Sequence, residues 1–122
     1  MREIGYAGED IAADYLISRG YKIIARNFTR RCGEIDIIAE EKLPDKKVLV
    51  FAEVKYYKEN SLRDLREAVD AGKQKRIIRT AERYLWENKN KRDSYVRFDA
   101  VLITAAPQKI ELVKDAFRAD RD

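Results

Sequence analysis

Three charged residues lie among apolar neighbours in two short runs: Asp36 between isoleucines in GEIDIIAEE, and Glu53 with Lys55 in VLVFAEVK. An ionised side chain within an apolar strand is costly unless a counter-charge or a metal accompanies it. The EKLPDK between the runs contains Pro44 and Asp45, which favour tight turns, so a β-hairpin is predicted with strands over 34–40 and 47–56. Strand side chains alternate, which puts Glu53 and Lys55 on one face with Phe51 and Leu49, and Ala52 and Val54 on the other. Centring the turn on Pro44 and Asp45 sets Asp36 directly opposite Glu53.

Two facing carboxylates repel one another, and a cation between them reverses the sign. The chain has no histidine and a single cysteine, Cys32, so any metal must be held by oxygen. That suits Mg²⁺ or Mn²⁺, bound by one or two carboxylates, a main-chain carbonyl and water. Lys55 can orient an attacking water or offset phosphate charge, and together these are the parts of metal-assisted phosphodiester hydrolysis. Cross-strand ion pairing alone would explain Glu53 and Lys55. It does not explain Asp36, which lies between Ile35 and Ile37.

The flanking segments must position these groups. Residues 2–19 carry a helical pattern whose apolar arc includes Ile4, Ala7, Gly8, Ile11, Ala12, Tyr15 and Leu16, and Gly20 is placed to end it. Asp10 points away from that arc, while Glu9 lies at its border, either an ordinary solvated carboxylate or an acid aimed at the site. YKIIARNFTR over 21–30 is predicted as the first strand, ending at the basic pair Arg30 and Arg31. Ser61 and Asp64 resemble a capping box, with Asp64, Glu67 and Asp70 near the positive end of a helical segment. Gly72 is read as a break, followed by a helix over 73–88 that buries Ile77, Ile78, Ala81, Tyr84 and Leu85.

From Lys73 to Arg92 there are eight basic residues and two acidic ones, Glu82 and Glu87. Lys75, Arg76, Arg79 and Arg83 share an arc with Trp86, either a solvated helix side or a face that tracks phosphates and offers an aromatic for stacking. Gln74 falls on the inward arc, where its amide needs a partner, from a ligand site or from a main-chain carbonyl. YVRFDAVLITA over 95–105 is a predicted strand, with Arg97 and Asp99 as a structural ion pair. IELVKDAF is a short final strand or edge, before a charged tail.

A chain of 122 residues with 45% hydrophobic content has the size of one domain with one core. The net charge of +4 and the sequence pI near 9.2 permit a polyanionic partner without requiring one. One cysteine excludes an intrachain disulfide. With no apolar run long enough for a signal peptide or a membrane span, the expectation is a cytoplasmic protein without a membrane partner.

The chain resembles the YraN-like family through GEDIAADYL, GYKIIARNF, GEIDII, VFAEVK, the KQKR helix start and RFDAV, a match over residues 5 to about 103. That family is similar to the restriction endonuclease-like superfamily with the PD-(D/E)xK signature, and especially to archaeal Holliday-junction resolvases and RecB-type nuclease domains. The order of predicted elements, α-β-β-β-α-β-β, gives an α/β fold in a single domain over 1–122, a mixed sheet of about five strands flanked by helices, and the resemblance implies that this is the restriction endonuclease-like, metal-dependent nuclease fold. By position, Asp36, Glu53 and Lys55 fill the core motif, Glu9 the helix-borne acid and Gln74 the helix position after the ExK strand. Ile35 stands where the signature has proline.

The expectation is therefore a Mg²⁺-dependent or Mn²⁺-dependent endonuclease acting on branched or structured DNA. Asp36, Glu53 and the Val54 carbonyl would hold the metal, with Glu9 helping through water, and Lys55 would position the nucleophilic water. Gln74 and Lys73 would fix the scissile phosphate, while Lys75, Arg76, Arg79 and Arg83, with Arg30 and Arg31, neutralise the backbone. By analogy with resolvases a homodimer is expected, and no small-molecule cofactor. Two other classes stay open: a non-catalytic nucleic-acid-binding module on a nuclease-like fold, and a purely structural domain.

Overall fold

The first helix, α1 (Arg2–Ser18), ends where Gly20 takes a φ of +91°, the left-handed geometry that glycine adopts without a Cβ penalty. Three antiparallel strands follow, β1 (Lys22–Arg30), β2 (Gly33–Lys42) and β3 (Lys47–Tyr57). A short helix, α2 (Leu65–Ala68), leads into α3 (Ala71–Glu87), and a 3₁₀ turn over Lys89–Lys91 leads into β4 (Tyr95–Ala105) and β5 (Gln108–Phe117). The computed structural model describes residues 2–58 and 65–119. The capping box expected at Ser61 and Asp64 lies outside them.

The five strands form one sheet in chain order. β3 and β4 are its parallel pair, with Glu53 beside Ala100 and Lys55 beside Leu102. Parallel neighbours need a long crossover, and α3 supplies it. The architecture and element order are those predicted from the pattern of the chain, and the final segment is a full edge strand antiparallel to β4.

One helix boundary differs from expectation. α3 begins at Ala71 rather than Lys73, because the Asp70 carboxylate accepts the Lys73 main-chain N–H at 2.9 Å and caps the helix, an interaction worth about 1 kcal/mol. Gly72 therefore lies in the first turn and breaks nothing.

Each sheet face carries its own core. Ala12, Ala13 and Leu16 of α1 pack on Ile37, Ala39, Val48, Val50, Ala52, Val101 and Ile103. On the other face Val69, Ile77, Ala81 and Tyr84 pack on Ile35, Ile38, Leu49, Phe51, Phe98 and Phe117. Aromatic rings continue across that face: Tyr84 meets Phe28 and Phe51 edge-on, and Phe98 stacks between Phe51 and Phe117.

Arg97 and Asp99 form the expected ion pair, inside a larger network. Arg97 bonds both Asp99 oxygens, Glu41 and the Tyr21 hydroxyl; Lys114 bonds Glu41, and the Asp115 N–H bonds Asp99. Asp99 is fully buried there. Burial opposes the Glu41 charge, yet the hydrogen bonds from Lys114 and Arg97 hold its pKa below the usual carboxylate value.

Candidate functional site

Strand pairing between β2 and β3 follows the predicted register from Lys42 opposite Lys47 to Ile37 opposite Ala52. One step further the ladder gives way. Asp36 Oδ2 accepts the Val54 N–H at 2.8 Å, a side chain taking over the place of a main-chain carbonyl. The main-chain groups of one strand residue point to the same neighbour, so the Val54 carbonyl opens on the gap that Asp36 lines.

The break has a visible origin. Ile35 packs on the α3 side with Ile38, although strict alternation would send it to the α1 side with Ile37. The strand therefore turns over at Asp36. Across from it in β1, between the pairs Arg26–Ile37 and Phe28–Ile35, Asn27 has a φ of +54°. Few residues other than glycine tolerate that conformation, and asparagine is one of them.

Glu53 is 4% exposed and close enough to Asp36 for its charge to act on it, and the Lys73 ammonium pairs with Glu53 from the first turn of α3. Burial, then the charge of Glu53, pushes the Asp36 carboxyl up to about 7. Burial, followed by the charge of Lys73, lowers the Lys55 pKa. Burial acts against Lys73 as well, but the hydrogen bond and charge of Glu53 outweigh it and raise that pKa. Two acids and two lysines thus share one half-buried corner, with Lys55 the lysine that yields its proton more readily.

Glu9 approaches from α1. A Cβ on Gly8 would lie 3.0 Å from Tyr56 Cβ, so the missing side chain lets the helix settle against β3 and carries Glu9 to the sheet. Burial, then the charge of Asp36, raises the Glu9 pKa, while a hydrogen bond from the Asn27 side chain lowers it. Glu9 Oε1 is buried without a hydrogen bond, and Arg26 Nη2 lies 3.7 Å away with its shorter contact, 2.8 Å, to Asp10.

Among the described residues no three acidic side chains gather closely enough to hold a metal by themselves. Two carboxylates, a strand-end carbonyl and water are nonetheless a donor set suited to Mg²⁺, which keeps several of its waters. The orphaned Glu9 oxygen fits a water-bridged role at its edge.

The remaining residues singled out in the sequence divide. Gln74 Nε2 donates to the Val69 carbonyl at 3.0 Å, so its partner is main chain and it fixes the turn carrying Lys73. Lys75, Arg76 and Arg79 are exposed on the outer side of α3 and have no ion-pair partner among the described residues, as is Arg31 after β1. Arg30 and Arg83 both bond Glu87, on Oε1 and Oε2 at 2.6–2.8 Å. Asn27 and Gly8 were not singled out. An asparagine inside a run of β-formers was the available signal for the first; the second needs the helix-to-sheet distance.

Fold and site together define an α/β protein whose mixed sheet carries acids and lysines where its antiparallel pairing ends. Residues 8–103 match the family described as "Uncharacterised protein family UPF0102", and the chain belongs to it. This bears out the YraN-like resemblance. A UPF0102 protein of Treponema denticola is 38% identical over 125 residues, spanning 96% of each chain. One of Lachnoclostridium phytofermentans is 42% identical, over 94% of this chain and 92% of its own, and UPF0102 protein STH1475 of Symbiobacterium thermophilum is 41% identical, over 97% and 98%. No helix among the described residues is long and apolar enough to cross a membrane.

Proposed function

We propose that this protein is a metal-dependent endonuclease that hydrolyses phosphodiester bonds of branched or otherwise structured DNA. The observation that carries the reading is the strand break at Asp36, where a half-buried acid with a pKa near 7 accepts the Val54 N–H beside the buried Glu53. A purely structural strand end has no need of two acids so close together, and a group perturbed as Asp36 is marks a site of chemistry.

Asp36, Glu53 and the Val54 carbonyl would hold Mg²⁺ or Mn²⁺, with Glu9 reaching it through water. Bound there, the ion supplies Lewis acidity and a water of lowered pKa. Lys55 Nζ orients the nucleophilic water, and its lowered pKa lets it hold the proton that water gives up. Lys73 is carried by the first turn of α3, where its ammonium can turn from Glu53 to a non-bridging phosphate oxygen. Gln74 keeps that turn in place through the Val69 carbonyl. Lys75, Arg76 and Arg79 neutralise the backbone along the helix, and Arg31 extends that field beyond β1. Two symmetric cuts in a branched substrate require two sites, which a homodimer supplies.

The test is a cleavage panel of linear, flapped, forked and four-way DNA with Mg²⁺ or Mn²⁺. Asp36→Ala and Lys55→Ala should each lower the rate by about 100-fold or more. Cleavage that survives both substitutions overturns the assignment. DNA binding with a steep salt dependence and no cleavage would make the chain a binding module instead.

A further inference from the structure

At the far end of α3 from the acids, Trp86 is 63% exposed. The Arg83 guanidinium lies 4.9 Å from its ring centroid. Arg83 Nε is held by Glu87 at 2.6 Å, and Glu87 is held in turn by Arg30 from β1, through Nε at 2.8 Å and Nη2 at 2.6 Å. Arg30 itself lies 4.1 Å over the Phe28 ring, which packs edge-on against Tyr84 in the core. The hydrogen bonds from Arg30, then Arg83, keep the Glu87 carboxylate ionised down to a pH of about 2. An exposed indole is thus braced, through two arginines and one acid, to a second element of the fold.

Beside it Arg30, Arg31, Cys32 and Arg83 line a concavity of about 510 Å³. Three arginines against one acid leave a surplus of positive charge, and Arg31 has no ion-pair partner among the described residues. A flat aromatic surface beside surplus arginine is how proteins hold bases that are not paired: the base stacks and its phosphate meets the cation. Bases inside a duplex have no free face to offer.

We propose that Trp86, braced by Arg83, Glu87 and Arg30, is a stacking platform for an unpaired base, and that Arg31 and the concavity receive the neighbouring phosphate. The ligand is a single-stranded polynucleotide. Lys73 and Trp86 are thirteen residues apart on α3, about 20 Å at 1.5 Å per residue. That length corresponds to about six nucleotides of stacked strand. Resting on the endonuclease reading, the platform specifies its substrate: DNA with a single-stranded stretch about six nucleotides from the cut.

Trp86 is the only tryptophan of the chain, so its fluorescence reports on the platform directly. The full chain is titrated in EDTA at low salt with oligo(dT), oligo(U) and a blunt duplex of equal length. Single strands should quench Trp86 and bind about 10-fold more tightly than the duplex, with oligo(dT) bound at least as tightly as oligo(U), as a DNA substrate requires. Trp86→Ala should weaken single-strand binding by about 10-fold and leave duplex binding unchanged, while Trp86→Phe restores most of it. Glu87→Gln should narrow the preference for single strands. Equal quenching by the duplex, or single-strand affinity unchanged in Trp86→Ala, overturns the platform. Cleavage without quenching removes the platform alone; quenching without cleavage in the panel above removes the nuclease alone.

Discussion

Replacing Asp36 by asparagine should make the metal-free protein more stable at pH 8. In the fold the Asp36 carboxyl titrates near 7 against an ordinary value of 3.8, so the native state holds a proton that the unfolded chain has already released. Stability from this group is complete below about pH 4 and is lost as the pH rises through about 7. Glu9, also raised, acts in the same direction. The carboxylates with lowered pKa values, Glu40, Glu41 and Glu87, are ionised in both states above about pH 5 and add no slope there. An interval of about three pH units corresponds to about 4 kcal/mol as a ceiling. Because Asp36 shares its charge with Glu53 and the two lysines, about half of that, ~2 kcal/mol, is expected. For 122 residues this amounts to about 8 °C in Tm. Asparagine still accepts the Val54 N–H and offers Glu53 a donor, so Asp36→Asn should flatten the pH dependence and raise Tm at pH 8 in EDTA. Adding Mg²⁺ should then raise the wild-type Tm and leave that of Asp36→Asn unchanged. Scanning calorimetry between pH 5 and 8 measures both effects; an unchanged or lower Tm for Asp36→Asn at pH 8 refutes the reasoning.

Asn27→Gly should keep or slightly raise Tm, because glycine accepts a φ of +54° freely, yet lower Mn²⁺ affinity in calorimetric titration by releasing Glu9. Asn27→Val should cost about 1–3 kcal/mol in chemical denaturation, since a branched side chain is strained in that conformation. Gly8→Val should push α1 off Tyr56 and weaken Mn²⁺ binding about as much as Glu9→Ala, with circular dichroism showing the helices intact. Arg97→Met should cost about 3–5 kcal/mol by urea denaturation, because it strands Asp99 and Glu41 with their charges buried.

The hairpin and its register could be read from Pro44, Asp45 and the alternation of the flanking strands, and six successive pairs follow it. The pair that matters most departs from it in a local way. Asp36 reaches the Val54 main chain because Asn27, on a third strand, bends the ladder, and alternation within the hairpin carries no trace of that. Lys73 was legible as a cation at a helix start and hence as a phosphate ligand; its pairing with Glu53 depends on where the crossover docks α3. In the sequence Arg30 ends a strand and Arg83 lies on a helix arc, with nothing to connect them. Glu87 joins them across 57 residues of sequence, a distance over which helical periodicity says nothing. The core residues were the most readable, because burial follows directly from period and polarity.

The network around Arg97 and the acids are neighbours along the sheet, Asp99 lying beside Ala52 and Ala100 beside Glu53, yet they are unequally tied. Tyr21, Glu41, Asp99 and Lys114 are joined across β2, β4, β5 and the start of β1 by hydrogen bonds. Between β2 and β3 the pairing stops at Ile37 and Ala52, and beyond it two acids crowd together. Amide hydrogens near Arg97 and Asp99 should therefore exchange only through global unfolding, whereas those of Asn27, Asp36 and Val54 exchange through smaller local openings.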